Sequence, residues 1–137
     1  MKPKKPKKKP ISLLRKNLKE VLHKYIRLRD TIEGGGTRWG ICISCQKNYP
    51  YEQLQAGHYI KAGNYARVRY EEDNINAQCG FSCNMQKGGN VVEYRINLVK
   101  KIGEERVKRL EDIRHEPFKQ NREWYEEKIQ YYKNLIS

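Results

Sequence analysis

Long hydrophobic runs are missing from this 137-residue chain. No apolar stretch approaches the roughly 20 residues that a membrane-spanning helix needs, so a transmembrane protein is excluded. The basic N-terminus is not followed by an apolar h-region, so no secretory signal is expected. Hydrophobic residues make up 37% of the chain against 33% charged, with Phe and Met at two each. Mean hydropathy is −0.99, which allows only a modest core. Internal repeats are absent, and so is a phosphate-binding glycine loop. Gly34-Gly35-Gly36 lacks the flanking strand and the Lys-Ser/Thr that such a loop requires.

Acidic residues are also scarce. Sixteen Asp and Glu face 29 Lys and Arg, a formal net charge of +13. The excess is concentrated: residues 1–29 hold 12 of the basic residues and one acid, Glu20. The rest is close to neutral. This balance points to a polyanionic partner, with nucleic acid the first expectation. Residues 1–11 read as a disordered Lys/Pro-rich arm, able to neutralise phosphates without regard to sequence. Residues 12–36 read as a basic amphipathic helix over Ser12–Asp30, followed by a glycine hinge. Its apolar stripe, Leu14, Leu18, Val21, Leu22 and Ile26, is assigned to packing.

Residues 37–103 form the expected core. Short strands are expected at Tyr51–Leu54 and His58–Ile60, and Asn90 is expected to cap a helix through Ile102. Gly103 ends or bends that helix. Residues 104–137 supply C-terminal helices, about Glu104–Ile113 and Phe118–Ile136. The aromatic face at Trp124–Tyr132 either makes a homodimer interface or folds back on the Ser12–Asp30 helix. The fold class is α+β, mostly helical.

All four cysteines lie in the core, as Cys42-x-x-Cys45 and Cys79-x-x-x-Cys83. Two close pairs can present four thiolates to a structural Zn²⁺. Disulfides or four separate buried thiols are the alternatives, and a reducing compartment favours zinc. A closed four-thiolate site would hold the fold together and carry out no chemistry. Redox catalysis fits poorly, because neither pair sits in a βαβ pattern.

Between and after the pairs come Ala56-Gly-His58-Tyr59, Asn74-Ile75, Gln78-Cys79, Cys83-Asn84, Lys87, Gly89-Asn90-Val91, Tyr94-Arg95 and Ile102-Gly103. This pattern resembles the zinc-knuckle HNH, or ββα-metal, endonucleases. It is most similar to the lambdoid phage NinG (Rap) family of recombination endonucleases, over roughly residues 12–135. The resemblance implies a ββα-metal core flanked by helices and a phage or prophage protein working in the bacterial cytoplasm. The implied activity is metal-dependent cleavage of branched DNA such as D-loops and Holliday junctions. His58 would be the general base, Asn74 would orient the loop that bears it, and Asn84 would bind a catalytic Mg²⁺ or Mn²⁺. A neutral histidine suits base catalysis near pH 7.

Two features depart from the family pattern. The second cysteine pair is one residue wider than the common spacing, and Gly57 stands where metal-binding HNH sites usually carry Asp or His. The second ligand is therefore sought elsewhere, with Asp73 first and Asn76 or Asn90 behind it, or His58 itself binds the metal. Lys61, Arg67, Arg69 and Lys87 are the expected DNA contacts, with Arg67 or Arg69 stabilising transition-state charge. The competing reading is a non-catalytic zinc-knuckle protein that only binds nucleic acid.

Overall fold

The computed structural model describes residues 7–137, so the first six residues of the expected arm lie outside the described residues. Helix α1 (Ile11–Arg29) starts after Pro10, whose carbonyl accepts the Leu13 and Leu14 N–H groups. Leu14, Leu18, Val21, Leu22 and Ile26 are buried, as an apolar stripe at helical period requires. The helix ends at Arg29, well before the three glycines.

Those glycines make a hairpin turn rather than a hinge. Strands β1 (Thr31–Gly34) and β2 (Thr37–Ile41) pair antiparallel, and β3 (Asn48–Pro50) adds to the other edge of β2. Gly35 and Gly36 have φ of 64° and 88°, the two positive values that a two-residue type I′ turn demands. The expected strands at Tyr51–Leu54 and His58–Ile60 are displaced. Extended Pro50 leads into a single 3₁₀ turn, Tyr51–Gln53, and the strand follows it. That strand, β4 (Leu54–His58), pairs antiparallel with β5 (Ile75–Cys79), placing Leu54 opposite Cys79 and His58 opposite Ile75.

A π-helical turn (Gly80–Gln86) follows β5 and leads to α2 (Val91–Ile102), α3 (Glu104–Ile113) and α4 (Arg122–Ile136). Gly103, at φ 93°, breaks α2 from α3. Asn90 precedes α2 but does not cap it through its side chain: its backbone is left-handed at φ 45°, and its amide is turned onto Cys83 Sγ at 3.5 Å. Helix α4 starts at Arg122, later than expected, because Asn121 is the cap and accepts the Trp124 N–H at 2.9 Å.

The β4–β5 hairpin is packed on both faces. Ala56 and Ile75 join the core formed by α1 and α4, in which Tyr125, Ile129 and Tyr132 meet Leu18, Leu22 and Ile26. The aromatic face of α4 thus folds back on α1, with the Tyr25 and Tyr132 rings 5.2 Å apart. On the other side, Tyr94 and Leu98 of α2 share a core with Val107, Leu110, Tyr59 and Val68. Fully buried Tyr94 donates its hydroxyl to the Gly57 carbonyl at 2.7 Å. The protein is α+β and mostly helical, a small hairpin core flanked by helices. No helix of the described residues is long and apolar enough to cross a membrane.

Candidate functional site

Cys42 and Cys45 stand on a tight turn after β2, in which Cys42 N–H donates to the Lys47 carbonyl and Gln46 takes φ 62°. Cys79 ends β5 and Cys83 lies inside the π-helical turn. The four sulfurs lie within 4.8 Å of one another, with Cys45 and Cys79 Sγ 3.9 Å apart. Zinc–sulfur bonds of about 2.3 Å in a tetrahedron place sulfurs roughly 3.8 Å apart, so the cluster could hold a zinc ion. Donors aim at the sulfurs, as second-layer partners of metal thiolates do. Cys45 N–H points at Cys42 Sγ (3.5 Å), Cys83 N–H at Cys79 Sγ (3.3 Å) and the Asn90 amide at Cys83 Sγ. The π turn absorbs the extra residue of the second pair, returning the Cys83 N–H onto Cys79. Burial pushes the Cys42 thiol up to about 12. Burial raises Cys45, but hydrogen bonds from the Lys47 N–H, Tyr49, Cys42 and Cys83 together bring it down to about 7.

His58, the last residue of β4, faces a cleft of about 1080 Å³. Its Nε2 lies 3.0 Å from the Arg69 carbonyl. A carbonyl can only accept, so Nε2 carries the proton and Nδ1 keeps its lone pair. Burial holds the imidazole below its ordinary value of 6.5, against the Arg69 hydrogen bond, and the Lys19 and Arg69 cations add to the lowering. His23 of α1 packs beside it with ring centroids 5.7 Å apart. Burial first, then His58, Lys19 and Arg27, lower His23 to about 4. Both rings are neutral at pH 7.

Asn74 holds the loop behind this histidine. Its buried amide accepts the Ile60 N–H (2.8 Å) and donates to the Ile60 and Val68 carbonyls (2.9 and 3.1 Å). The Tyr59–Asn74 excursion is therefore closed at its neck, next to His58 and Arg69.

Of the residues expected at the site, His58, Asn84, Lys61 and Arg69 line the one cleft. Asn84 donates its amide N–H to Gln55 Oε1 at 2.6 Å, and among the described residues its Oδ1 has no hydrogen-bond partner. Asp73 is not there. It lines a separate cavity of about 460 Å³ and is held by Arg106 of α3, whose Nε sits 3.0 Å from Oδ2. Arg67 lies on that same cavity, paired with Glu71 (2.9 Å) and Glu116 (3.5 Å). Of the two arginines considered for charge stabilisation, only Arg69 is placed to act. Lys87 follows the π turn and does not line the cleft. Asn76 is buried under Tyr94, its Oδ1 accepting from Arg29 and Lys101, and Asn90, its amide N–H turned onto Cys83, does not line the cleft.

Gly57 explains itself sterically. A Cβ there would lie 2.2 Å from Gln78 Oε1, so Gln78 fills the space of the usual side chain. Sequence reasoning missed the α1 wall of the cleft, where Arg15, Lys16, Lys19, His23 and Arg27 reach in, together with Glu52, the one carboxylate among the described residues that line it. The four-residue spacing of 15, 19, 23 and 27 was the signal.

Comparison with known proteins gives the family. The family model described as "Bacteriophage Lambda NinG protein" matches residues 1–137. The chain is 37% identical over 103 residues to Protein ninG of Escherichia phage 933W, covering 75% of this chain and 47% of that relative. Protein ninG of Escherichia phage lambda is likewise 37% identical over 103 residues, 75% of this chain and 46% of that protein. Protein ninG of Salmonella phage P22 is 36% identical with the same coverage. The chain thus spans about half the length of the curated relatives it matches. No solved structure matches it. By the full-length family match and these relatives, the chain belongs to the NinG family of bacteriophage proteins.

Proposed function

We propose that this protein is an HNH-type DNA endonuclease that hydrolyses phosphodiesters in branched recombination intermediates, in the cytoplasm of a bacterial host. One observation carries the reading: neutral His58, its Nε2 proton committed to the Arg69 carbonyl, faces a cation-lined cleft. Nδ1 accepts a proton from water, the resulting hydroxide attacks phosphorus, and the 3′ oxygen leaves. Arg69 stands on the same cleft, where its guanidinium faces charge developing on the non-bridging oxygens. Asn74 keeps the loop that carries Arg69 in register with His58.

Uncommitted Asn84 Oδ1 and the Glu52 carboxylate are hard oxygen donors on the cleft wall, of the type that Mg²⁺ or Mn²⁺ takes. Such a cation would neutralise the phosphorane and stabilise the leaving oxygen. The four cysteines fit Zn²⁺ as a structural ion. A homodimer, suited to paired incisions, would have to use a surface other than the aromatic face of α4, which α1 covers.

A non-catalytic zinc-knuckle protein that binds nucleic acid is the second reading, favoured by Gly57 and its filled surroundings. Mg²⁺-dependent cleavage of a labelled four-way junction, run beside a linear duplex with wild type and His58→Ala, separates the two. The expected result is junction cutting that disappears in the variant. Equal cutting by both proteins removes His58 from the mechanism. Junction binding without cutting in either Mg²⁺ or Mn²⁺ establishes the second reading.

A further inference from the structure

Five arginines of the body are neutralised by carboxylates: Arg29 by Asp30, Arg67 by Glu71, Arg95 by Glu111, Arg106 by Asp73 and Arg109 by Glu71. The cations on the cleft side of α1 are not. Among the described residues, Arg15, Lys16, Lys19 and Arg27 form no ion pair with any carboxylate. Arg15, Lys16 and Lys19 are exposed. Arg27 lies over the Tyr51 ring at 3.9 Å and donates to the Tyr51 carbonyl, while its Nε is buried without a partner. Among the described residues, six basic side chains line the cleft against one carboxylate, a charge imbalance that draws in a polyanion.

The spacing is as specific as the charge. Positions 15, 19, 23 and 27 recur every four residues, so they stand on one i±4 ridge of the helix. Each step rises about 6 Å, of the order of the phosphate-to-phosphate separation along one nucleic-acid strand. His23 occupies the third position, against His58, and Lys61 and Arg69 stand on the facing loop.

We infer that α1 is a phosphate ladder: the backbone of one DNA strand runs along it, with phosphates on Arg15 and Lys19 and, two steps further along, on Arg27. The phosphate to be cut then lies in the cleft beside the packed His23–His58 pair. This placement rests on the reading of the cleft as a DNA site, but not on the chemistry performed there. His23, neutral in the folded protein, serves the ladder as a hydrogen-bonding group and not as a charge. The cations of α1 therefore belong to the site itself and not only to a diffuse basic arm.

Salt-dependent binding tests the ladder without requiring catalysis. Fluorescence anisotropy of a labelled four-way junction, without added divalent cation, is measured from 50 to 200 mM salt for wild type, Arg15→Gln, Lys19→Gln and Lys24→Gln. Lys24 is exposed on α1 but lies outside the cleft, and Gln keeps helix propensity close to that of Lys. Each ridge variant should lower the slope of log K against log salt by about 0.9, while Lys24→Gln leaves it unchanged. Equal effects at Lys19 and Lys24, or no change at either ridge position, overturn the ladder. Slopes that fall as expected in a protein that never cuts would sink the endonuclease reading and keep the ladder. His58-dependent cutting with unchanged slopes would do the reverse.

Discussion

His23 and His58 share a cleft with unpaired cations, and their low basicity has consequences at two levels. For stability, His23 moves from 6.5 to about 4 on folding, so below pH 6.5 the unfolded chain binds the proton more readily. Stability from this residue is complete above about pH 6.5 and is lost as pH falls to about 4, a loss on the order of 2–3 kcal/mol. Thermal melts at pH 7 and pH 4 check it, and His23→Leu should show a shallower difference; equal pH dependence in both proteins would refute it. For the proposed cleavage, lowering of His58 predicts an acid limb of the rate profile below pH 6.5, with a plateau above. Gly57 offers a steric test. Gln78 is fully buried and donates to Ser44 Oγ (2.8 Å) and the Gly89 carbonyl (2.5 Å), so it cannot retreat from a new Cβ. Gly57→Ala is expected to cost about 1–3 kcal/mol by overpacking, measured by urea unfolding.

The π-helical turn ties the cysteine cluster to the cleft, since Cys83 points to the cysteines and its neighbour Asn84 to the cleft. One zinc per chain is expected by elemental analysis. Its removal with a strong chelator should lower the melting temperature and abolish cleavage together; metal-free native protein indifferent to chelators would contradict this. Much of this region was legible in the sequence. Cysteine spacing located the cluster, apolar periodicity drew α1, and Gly103 marked the break between α2 and α3. Asp73 was misread because adjacency to Asn74 does not fix direction: the 3₁₀ turn Glu72–Asn74 carries its carboxylate to Arg106. The three-strand sheet was missed because Gly34–Gly36 reads equally as hinge or turn until a second strand is there to pair. The cationic ridge was hidden for another reason. Charges opposite an apolar stripe are what any solvated helix face presents, and only the facing loop turns that face into a wall.

As an assembly, the molecule depends on α4 holding α1 over the hairpin. Tyr132 reaches across to Glu72, its hydroxyl 3.0 Å from Oε2, and Ile129 is buried against α1. Ile129→Ala should cost about 2–5 kcal/mol and weaken junction binding with it, because the ladder is only as well placed as its helix. Melting curves beside anisotropy titrations check this, and a destabilised variant with unaltered binding would separate α1 placement from α4. The neck closed by Asn74 has a different kind of consequence. Everything that positions His58 lies at or behind that closure, whereas Gly63 at the far side of the loop has only open space where a Cβ would stand. The loop tip is thus a place where chain can be inserted or a fluorophore attached without touching the histidine. A dye on Gly63→Cys, in a cysteine-labelling scheme that spares the four clustered thiols, would report a strand entering the cleft in real time.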